Sequence, residues 1–319
     1  MDINILLWLQ GLREAAGPGV ENFFATASAA AVNALFLVIP FAIFWCVDKT
    51  KGSVAITSFA LGNTVNQLVK NTVCAYRPWV RDSRIVASSK AIEGATGYSF
   101  PSGHTLTATT AIGALGWAWR KLVWPLVLTG TFVLVVIFSR LFLGCHTPQD
   151  VLVGLVEGCL MIALSQALLS WADAAEGRDR IVLVCGLAFA AAFLVYVTVK
   201  PYPMDYADGK LLVDPIEMTV DCYKAGGIFV GFLVGWFLER RFVGFSTDGL
   251  VARQRVVRVL VGVVCVLLLH VVIGKALQGA LPGPFAGTFV RYCLTFLGGM
   301  YVAPALFSAI ERRTAKQAA

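Results

Sequence analysis

Long apolar blocks alternate with short polar connections along this chain. Each block is close to the ~20 residues that cross a bilayer as a helix, and the connections are too short to fold alone. We predict nine transmembrane helices, at about residues 27–47, 53–70, 102–119, 122–141, 150–170, 181–199, 223–238, 257–275 and 286–309. The pattern therefore predicts an all-α polytopic membrane protein that forms a single membrane domain.

The segment before the first block has a different pattern. Ile3, Leu6 and Leu9 recur at roughly helical spacing within residues 1–26, among polar positions. Such a helix lies along a membrane surface. We therefore predict that residues 1–26 form an extracytoplasmic, interfacial segment.

The composition agrees with a membrane protein. Hydrophobic residues make up 58% of the 319 residues and charged residues only 14%, whereas soluble proteins carry roughly 25% charged residues. The formal net charge of +7 comes from basic residues at the ends of apolar blocks, which is typical of membrane topology and not of a nucleic-acid-binding patch. The expected partner is the lipid bilayer, with no nucleic acid.

The distribution of lysine and arginine predicts the orientation. One set of alternate connections carries fourteen of the twenty-six basic residues: Lys49, Lys51, Arg120, Lys121, Arg178, Arg180, Arg240, Arg241, Arg253, Arg255, Arg258, Arg312, Arg313 and Lys316. Cytoplasmic loops are enriched in lysine and arginine. The C-terminus is therefore expected in the cytoplasm and the N-terminus outside.

Charged side chains also occur where the hydropathy pattern does not require them. Lys70 and Arg77 are two helical turns apart, so both project from one side of a helix end. They are candidates for holding phosphate oxygens, but interfacial cations that snorkel to the headgroups have the same spacing. Both interpretations stay open for this pair.

The third predicted span starts with Pro101–Ser102–Gly103–His104. Proline suits the first helical position, and the free N–H groups of Ser102 and Gly103 then form a helix N-terminus that binds anions. Gly103 permits close approach of a ligand to the backbone. A plain helix start explains Pro101 and Ser102 but leaves Gly103 and His104 without a reason.

A third polar segment contains Arg140, His146 and Asp150. The guanidinium of Arg140 can hold two phosphate oxygens at once. Asp150 is interpreted in two ways, either as the capping-box partner of Thr147 or as the carboxylate that orients His146 for nucleophilic attack.

In order and spacing, the three segments resemble the type 2 phosphatidic acid phosphatase superfamily. The pattern of that family is Lys-x6-Arg-Pro, Pro-Ser-Gly-His and Ser-Arg-x5-His-x3-Asp, and every specified letter is present within residues 70–150. The resemblance implies a six-helix phosphatase core within residues 27–199, and residues 200–319 would add further transmembrane helices.

The resemblance also assigns roles within the site. It implies that His146 is the nucleophile, that Asp150 is its partner, and that His104 is the general acid. It further implies that five residues hold the phosphoryl oxygens: Lys70, Arg77, Ser102, Gly103 and Arg140. The three cations stabilise the charge of phosphoryl transfer, and we expect neither a metal nor another cofactor.

These expectations lead to a functional hypothesis with alternatives. The leading hypothesis is a phosphatase that hydrolyses a phosphomonoester or diphosphate of a lipid at the extracytoplasmic face through a phosphohistidine. A soluble sugar phosphate as substrate, and a lipid or phosphate transporter with a vestigial site, are the alternatives. The sequence leaves open the oligomeric state and the roles of Glu157, His270 and the loop at 200–222.

Overall fold

The computed structural model describes residues 2–92, 94–207 and 209–318. Within these ranges the regular secondary structure is helical apart from one short antiparallel strand pair, β1 (Tyr206–Ala207) and β2 (Lys210–Leu211). The helices are α1 (Asp2–Val32), α2 (Ala34–Cys46), α3 (Lys49–Val73), α4 (Pro78–Arg81), α5 (Ser89–Ile92), α6 (Gly103–Thr107), α7 (Ala114–Ala118), α8 (Val123–Phe142), α9 (Pro148–Asp173), α10 (Arg178–Val199), α11 (Pro215–Leu238), α12 (Ala252–Leu267), α13 (Gly274–Ala280), α14 (Gly283–Leu297) and α15 (Ala303–Ala318).

Several of these helices continue into one another through π-helical turns. In the part of the chain that the structure describes, these turns are Ala108–Gly113, Glu239–Val243, Leu268–Ile273 and Gly298–Val302. They join α6 to α7, extend α11, and join α12 to α13 and α14 to α15. A π-turn inserts one residue into a helix and often lies at a functional position.

Six helical stretches among the described residues are long and apolar enough to cross a membrane: Val123–Phe142, Pro148–Asp173, Arg178–Val199, Pro215–Val243, Ala252–Ala280 and Gly283–Thr314. A seventh arises if the first two helices, which bend by 44° where they meet, are counted as one span. The predicted number of nine is therefore not confirmed. If the bent pair is taken as the span predicted at 27–47, two predicted spans, at 53–70 and 102–119, match none of these stretches.

Helix α3, which contains the predicted span 53–70, lies inside the helix bundle. It packs against α2, α9 and α11, and fifteen of its 25 residues are buried. Its buried hydroxyl groups donate to carbonyl groups one turn earlier, as Ser58 Oγ does to the Val54 oxygen at 2.6 Å. A helix that is surrounded by protein does not need the apolar surface that lipid contact demands, which is why its sequence is more polar than that of the six stretches.

The N-terminal helix runs past the predicted boundary at residue 26 and ends at Val32. It bends at Gly17, whose φ of 77° lies in the left-handed region that favours glycine. Leu6 and Leu9 are buried, and Arg13 donates to the backbone oxygens of Phe142 (3.1 Å) and Val86 (2.5 Å). The segment is therefore joined to α8 and to the loop before α5.

Two glycines allow α9 to approach the start of α6. A Cβ atom on Gly154 would lie 2.8 Å from the backbone oxygen of Ser102, and one on Gly158 would lie 2.7 Å from a side-chain atom of Thr109. Real Cβ atoms do not come this close to backbone oxygens. Because these two positions have no side chain, α9 can pack directly against the segment that carries Ser102 and Thr109.

Replacing Gly154 with alanine is therefore expected to destabilise the protein, by about 1–3 kcal/mol, since overpacking forces backbone shifts. Gly130→Ala is the matched control, because Gly130 is also helical and a Cβ there meets nothing within 4 Å. The apparent melting temperature of the detergent-solubilised protein is the measurement. Equal melting temperatures for the two variants would show that the close approach is absent.

Candidate active site

The three polar segments come together at one end of the bundle. Lys70 lies in the last turn of α3, Arg77 precedes α4, and Arg140 lies in the last turn of α8. Their side chains are buried, with 7%, 7% and 1% of the residue surface exposed. Buried cations of this kind are not interfacial residues that snorkel to headgroups, so the structure favours the first interpretation of Lys70 and Arg77.

A tight turn between α8 and α9 presents His146. Gly144 has a φ of 73°, and the N–H groups of Cys145 and His146 both donate to the Arg140 oxygen, at 3.0 and 3.3 Å. The turn fixes the histidine to the last turn of α8. Arg140 and His146, six residues apart in sequence, are therefore neighbours through their backbone.

The guanidinium of Arg77 contacts the imidazole of His146. Arg77 NH1 lies 2.9 Å from His146 Nε2, and arginine has only donors. Nε2 must therefore carry a lone pair, which places the ring proton on Nδ1. Arg77 is itself fixed by the backbone oxygens of Thr96 (2.9 Å), Gly97 (3.0 Å) and Cys145 (3.0 Å).

The carboxylate of Asp150 caps α9 and also lies beside the imidazole of His146. Asp150 Oδ2 accepts from the N–H of Thr147 at 2.8 Å, and Asp150 N–H donates to Thr147 Oγ1 at 3.4 Å, so the capping box is complete. The same Oδ2 atom lies 3.4 Å from His146 Nδ1 and accepts from Ser99 Oγ at 2.5 Å. The carboxylate that caps the helix is therefore the same one that lies next to His146.

Lys70 binds the loop that leads into the second motif. Its ammonium donates to the backbone oxygens of Tyr98 (3.1 Å) and Pro101 (2.8 Å). An ammonium has three N–H donors, so one remains for another acceptor. Lys70 thus positions the helix start and keeps one donor for an anion.

Arg140 has donors without an acceptor. Its NH1 donates to Ser28 Oγ at 2.8 Å, whereas Nε and NH2 are buried and make no hydrogen bond in the described structure. Buried donors without acceptors are costly. A phosphate with its oxygens at Nε and NH2 would satisfy both through a two-point contact.

The structure corrects the expectation for Ser102. Its N–H, predicted to face the anion, donates to the Asp150 oxygen at 3.0 Å. Ser102 is instead the N-cap of α6, and its side chain accepts from Thr105 N–H at 3.4 Å. The N–H of Gly103 has no hydrogen-bond partner among the described residues, so this amide can still face an anion.

His104 is half-buried and makes no hydrogen bond to another described residue. It lies within electrostatic range of Arg140, His146, Arg77 and Lys70. The ring is therefore part of the same cluster without being fixed by it. A proton donor for a leaving group needs that freedom to reach its acceptor.

Burial and charge set the protonation of the groups outside the helices. Burial, and then the charges of Arg77, Arg140 and Lys70, hold the pKa of His146 well below the ordinary value of 6.5. Burial, and then Arg140, lower the pKa of Arg77 to about 10. At neutral pH the imidazole is thus neutral and the guanidinium charged.

Sequence reasoning missed three contributors. Ser99, which bonds Asp150, stands three residues before Ser102 and matches no motif letter. Ser28, which holds Arg140, lies on α1 and carries no sequence signal. Asn66 Nδ2 donates to Glu157 Oε2 at 2.8 Å behind the site; its place one helical turn before Lys70 was a signal that spacing alone could have given.

The family of the chain follows from comparison with family models. The PAP2 superfamily matches residues 52–174, and the transmembrane extension of PAP2 superfamily phosphatases matches residues 223–316. This chain belongs to the PAP2 superfamily, whose members are phosphatases. The resemblance to the type 2 phosphatidic acid phosphatases is thereby confirmed.

Two curated relatives have lipid phosphates in their names. Human sphingosine-1-phosphate phosphatase 2 is 27% identical over 250 residues, which are 72% of this chain. Undecaprenyl-diphosphatase BcrC of Bacillus subtilis (strain 168) is 34% identical over 122 residues, or 37% of this chain. Each alignment spans 59% of the relative's own length. No solved structure matches the chain at a significant level.

Ser28→Ala is expected to weaken the binding of inorganic phosphate about threefold to tenfold, since one hydrogen bond contributes about 0.5–1.5 kcal/mol. Without the hydroxyl group, Arg140 loses the contact that aims Nε and NH2. The measurement is calorimetric titration of the purified protein with phosphate. Thr26→Ala serves as control, because Thr26 carries an exposed hydroxyl group on the same helix. Equal phosphate affinities for both variants would show that Ser28 does not contribute to phosphate binding.

Proposed function

We propose that this protein is an integral membrane phosphatase that hydrolyses a phosphomonoester or diphosphate of a lipid, with His146 as the nucleophile. The observation that carries this proposal is the position of His146 Nε2. This nitrogen has a lone pair and lies 2.9 Å from the guanidinium of Arg77, and the second guanidinium of the site, that of Arg140, has buried donors without an acceptor. A nucleophile and a set of phosphate-binding cations in one buried pocket are the two parts that phosphoryl transfer requires.

In the first step, Nε2 of His146 attacks phosphorus as the bond to the leaving oxygen breaks. His104 donates its proton to that oxygen, and the alcohol or the shorter phosphate departs. Arg77 NH1 transfers its hydrogen bond from Nε2 to a phosphoryl oxygen. Asp150 and Ser99 stabilise the positive charge that develops on the His146 ring through the Nδ1 side.

In the second step, water attacks the phosphohistidine. His104, now neutral, takes a proton from the water as the new phosphorus–oxygen bond forms and the bond to Nε2 breaks. Inorganic phosphate leaves, and both histidines return to their starting states. Lys70, Arg77, Arg140 and the Gly103 N–H stabilise the charge on the equatorial oxygens in both steps.

We place the site at the extracytoplasmic face and the C-terminus in the cytoplasm. The distribution of basic residues supports this orientation, because the fourteen residues counted above lie at the end of the predicted spans opposite the motif. The predicted orientation assumes nine spans. The six apolar stretches and the bent pair α1–α2 supply seven, and the buried helix α3 and the interrupted α6–α7 helix would supply the other two.

A lipid substrate is supported by the burial of the pocket within membrane-spanning helices and by the names of both relatives. Its tail would stay in hydrocarbon while the phosphate reaches the cations. A sugar phosphate would have to approach the same cations from water. Both substrate classes use the same chemistry, so only an assay across them separates the two.

The decisive experiment measures phosphate release by purified protein from lipid phosphates, lipid diphosphates and sugar phosphates, with and without EDTA. We expect lipid substrates to be preferred and EDTA to have no effect, because protein cations neutralise the phosphate. His146→Ala should lower turnover by at least about a thousandfold, as for loss of other catalytic nucleophiles.

Gln149→Ala is the matched control for that variant. Gln149 is exposed and lies in the same helix start, three residues after the nucleophile, so its loss should leave turnover unchanged. Full activity of His146→Ala would refute the mechanism. A preference for sugar phosphates would keep the mechanism and replace the substrate class.

The acid limb of kcat/KM is expected below pH 6.5. Because the pKa of His146 is lowered, the neutral nucleophile persists to more acidic pH than an ordinary histidine would allow. The limb of this parameter reports groups of the free enzyme, so a pH series at low substrate concentration measures it. An acid limb at or above pH 6.5 would contradict the neutral, buried state of His146.

A further inference from the structure

A second group of cations lies in the C-terminal helices, outside the motif. It contains Lys224 on α11, Lys275 on α13, Arg291 on α14 and His270 in the π-turn before α13. The ring of Tyr292 lies among them, with its centroid 5.3 Å from Lys224 Nζ, 5.8 Å from Arg291 Cζ and 5.3 Å from the His270 ring. We call the four basic residues the C-terminal cationic cluster.

The hydrogen bonds of Arg291 go to neutral groups. Nε donates to the His270 backbone oxygen (3.1 Å), NH2 to His270 Nε2 (2.8 Å) and NH1 to Gln278 Oε1 (3.1 Å). A guanidinium has five N–H donors, so two remain. The other ring nitrogen of His270 contacts Thr295 Oγ1 at 2.9 Å, which gives a built, pre-organised polar site within apolar helices.

The cluster has no acidic partner of its own in the described parts of the chain. No described carboxylate oxygen lies within 4.0 Å of the charged nitrogens of Lys224, Lys275 or Arg291. Asp221 is within electrostatic range of Lys224, but also of Lys70 in the active site. Uncompensated cations in membrane-spanning helices are expensive and mark functional positions.

The surroundings of the cluster indicate what kind of anion would compensate it. Arg291 is eight residues from the start of α14, roughly 12 Å along the helix. Val271, Val272 and Leu277 expose their side chains next to it. A ligand that combines an anionic headgroup with hydrocarbon fits a site with cations on one side and exposed aliphatic groups on the other.

The cluster lies on the same end of the bundle as the active site. Lys224 is two residues after Cys222, whose Sγ accepts from Asn71 Nδ2 at 3.1 Å, and Asn71 follows Lys70. Helix α11 therefore separates two cationic sites at similar depth. A lipid in one leaflet can reach either of them.

We propose that the C-terminal cationic cluster is a second phosphate site, which binds the phosphate headgroup of an anionic lipid from the leaflet that supplies the active site. It takes no part in hydrolysis. Arg291 supplies the two free N–H groups, Lys224 and Lys275 supply charge, and Tyr292 packs against the headgroup. The site holds a lipid anion next to the catalytic core.

Native mass spectrometry of the full chain in an uncharged detergent tests this proposal by counting bound phosphatidic acid molecules. The His146→Ala background removes the proposed nucleophile. The lipid at the cluster is expected whether or not the proposed function holds, whereas the lipid at the active site rests on that function. Two bound lipids are expected. Adding Arg291→Gln or Lys224→Gln should weaken one of the two binding events by about tenfold or more, as for lost charge-assisted contacts.

Lys121→Gln, an exposed lysine at another turn, is the matched control and should retain both lipids. Lys275→Gln, also exposed, provides a second variant that leaves the buried hydrogen bonds intact if Arg291→Gln fails to fold. Inorganic phosphate that displaces the second lipid would show recognition of the phosphate group alone; no displacement would show that the hydrocarbon is needed. Equal binding of diacylglycerol, or unchanged binding in both Arg291→Gln and Lys275→Gln, would overturn the proposal.

Discussion

The geometry of the site depends on one residue, Asp150, at the start of α9. Its carboxylate accepts hydrogen bonds from Thr147 N–H and Ser99 Oγ, and its backbone oxygen accepts the N–H of Ser102. One residue therefore joins the turn that carries His146 to the segment that carries His104. Because Gly154 has no side chain, α9 approaches Ser102 closely enough for these contacts to form.

Around Asp150, the protein brings together the three buried cations Lys70, Arg77 and Arg140. Lys70 and Arg77 are held by backbone oxygens, which fix their positions without neutralising their charge. Arg140 keeps two donors without an acceptor. For the proposed phosphatase, such a pocket would be organised for a doubly charged anion before the anion binds, and preorganisation of this kind is the main source of electrostatic catalysis. The low polarity of the surroundings makes each contact stronger than it would be in water.

The sequence predicted the helical membrane fold, the convergence of the three segments and, as two alternatives, a helix cap or a contact with His146 for Asp150. These features follow from local signals: hydrophobic blocks, a proline and threonine at helix starts, and fixed spacings. The number of spans and the hydrogen bond of the Ser102 N–H to Asp150 were not predictable in the same way. Whether α3 faces lipid or protein depends on neighbours far away in sequence, and the partner of the Ser102 N–H comes from a helix nearly fifty residues later. Ser28 shows the same limit, since a single hydroxyl on a remote helix has no local pattern.

The contact between Ser28 and Arg140 has a consequence for the extent of the candidate site. The residues that match the superfamily begin at residue 52, but the side chain that holds Arg140 comes from α1, together with the bonds from Arg13 that hold α8 and the loop near Val86. The boundary of shared sequence and the boundary of the working pocket are therefore different. A fragment that begins at residue 52 would therefore contain every motif residue but lack Ser28, the side chain that holds Arg140.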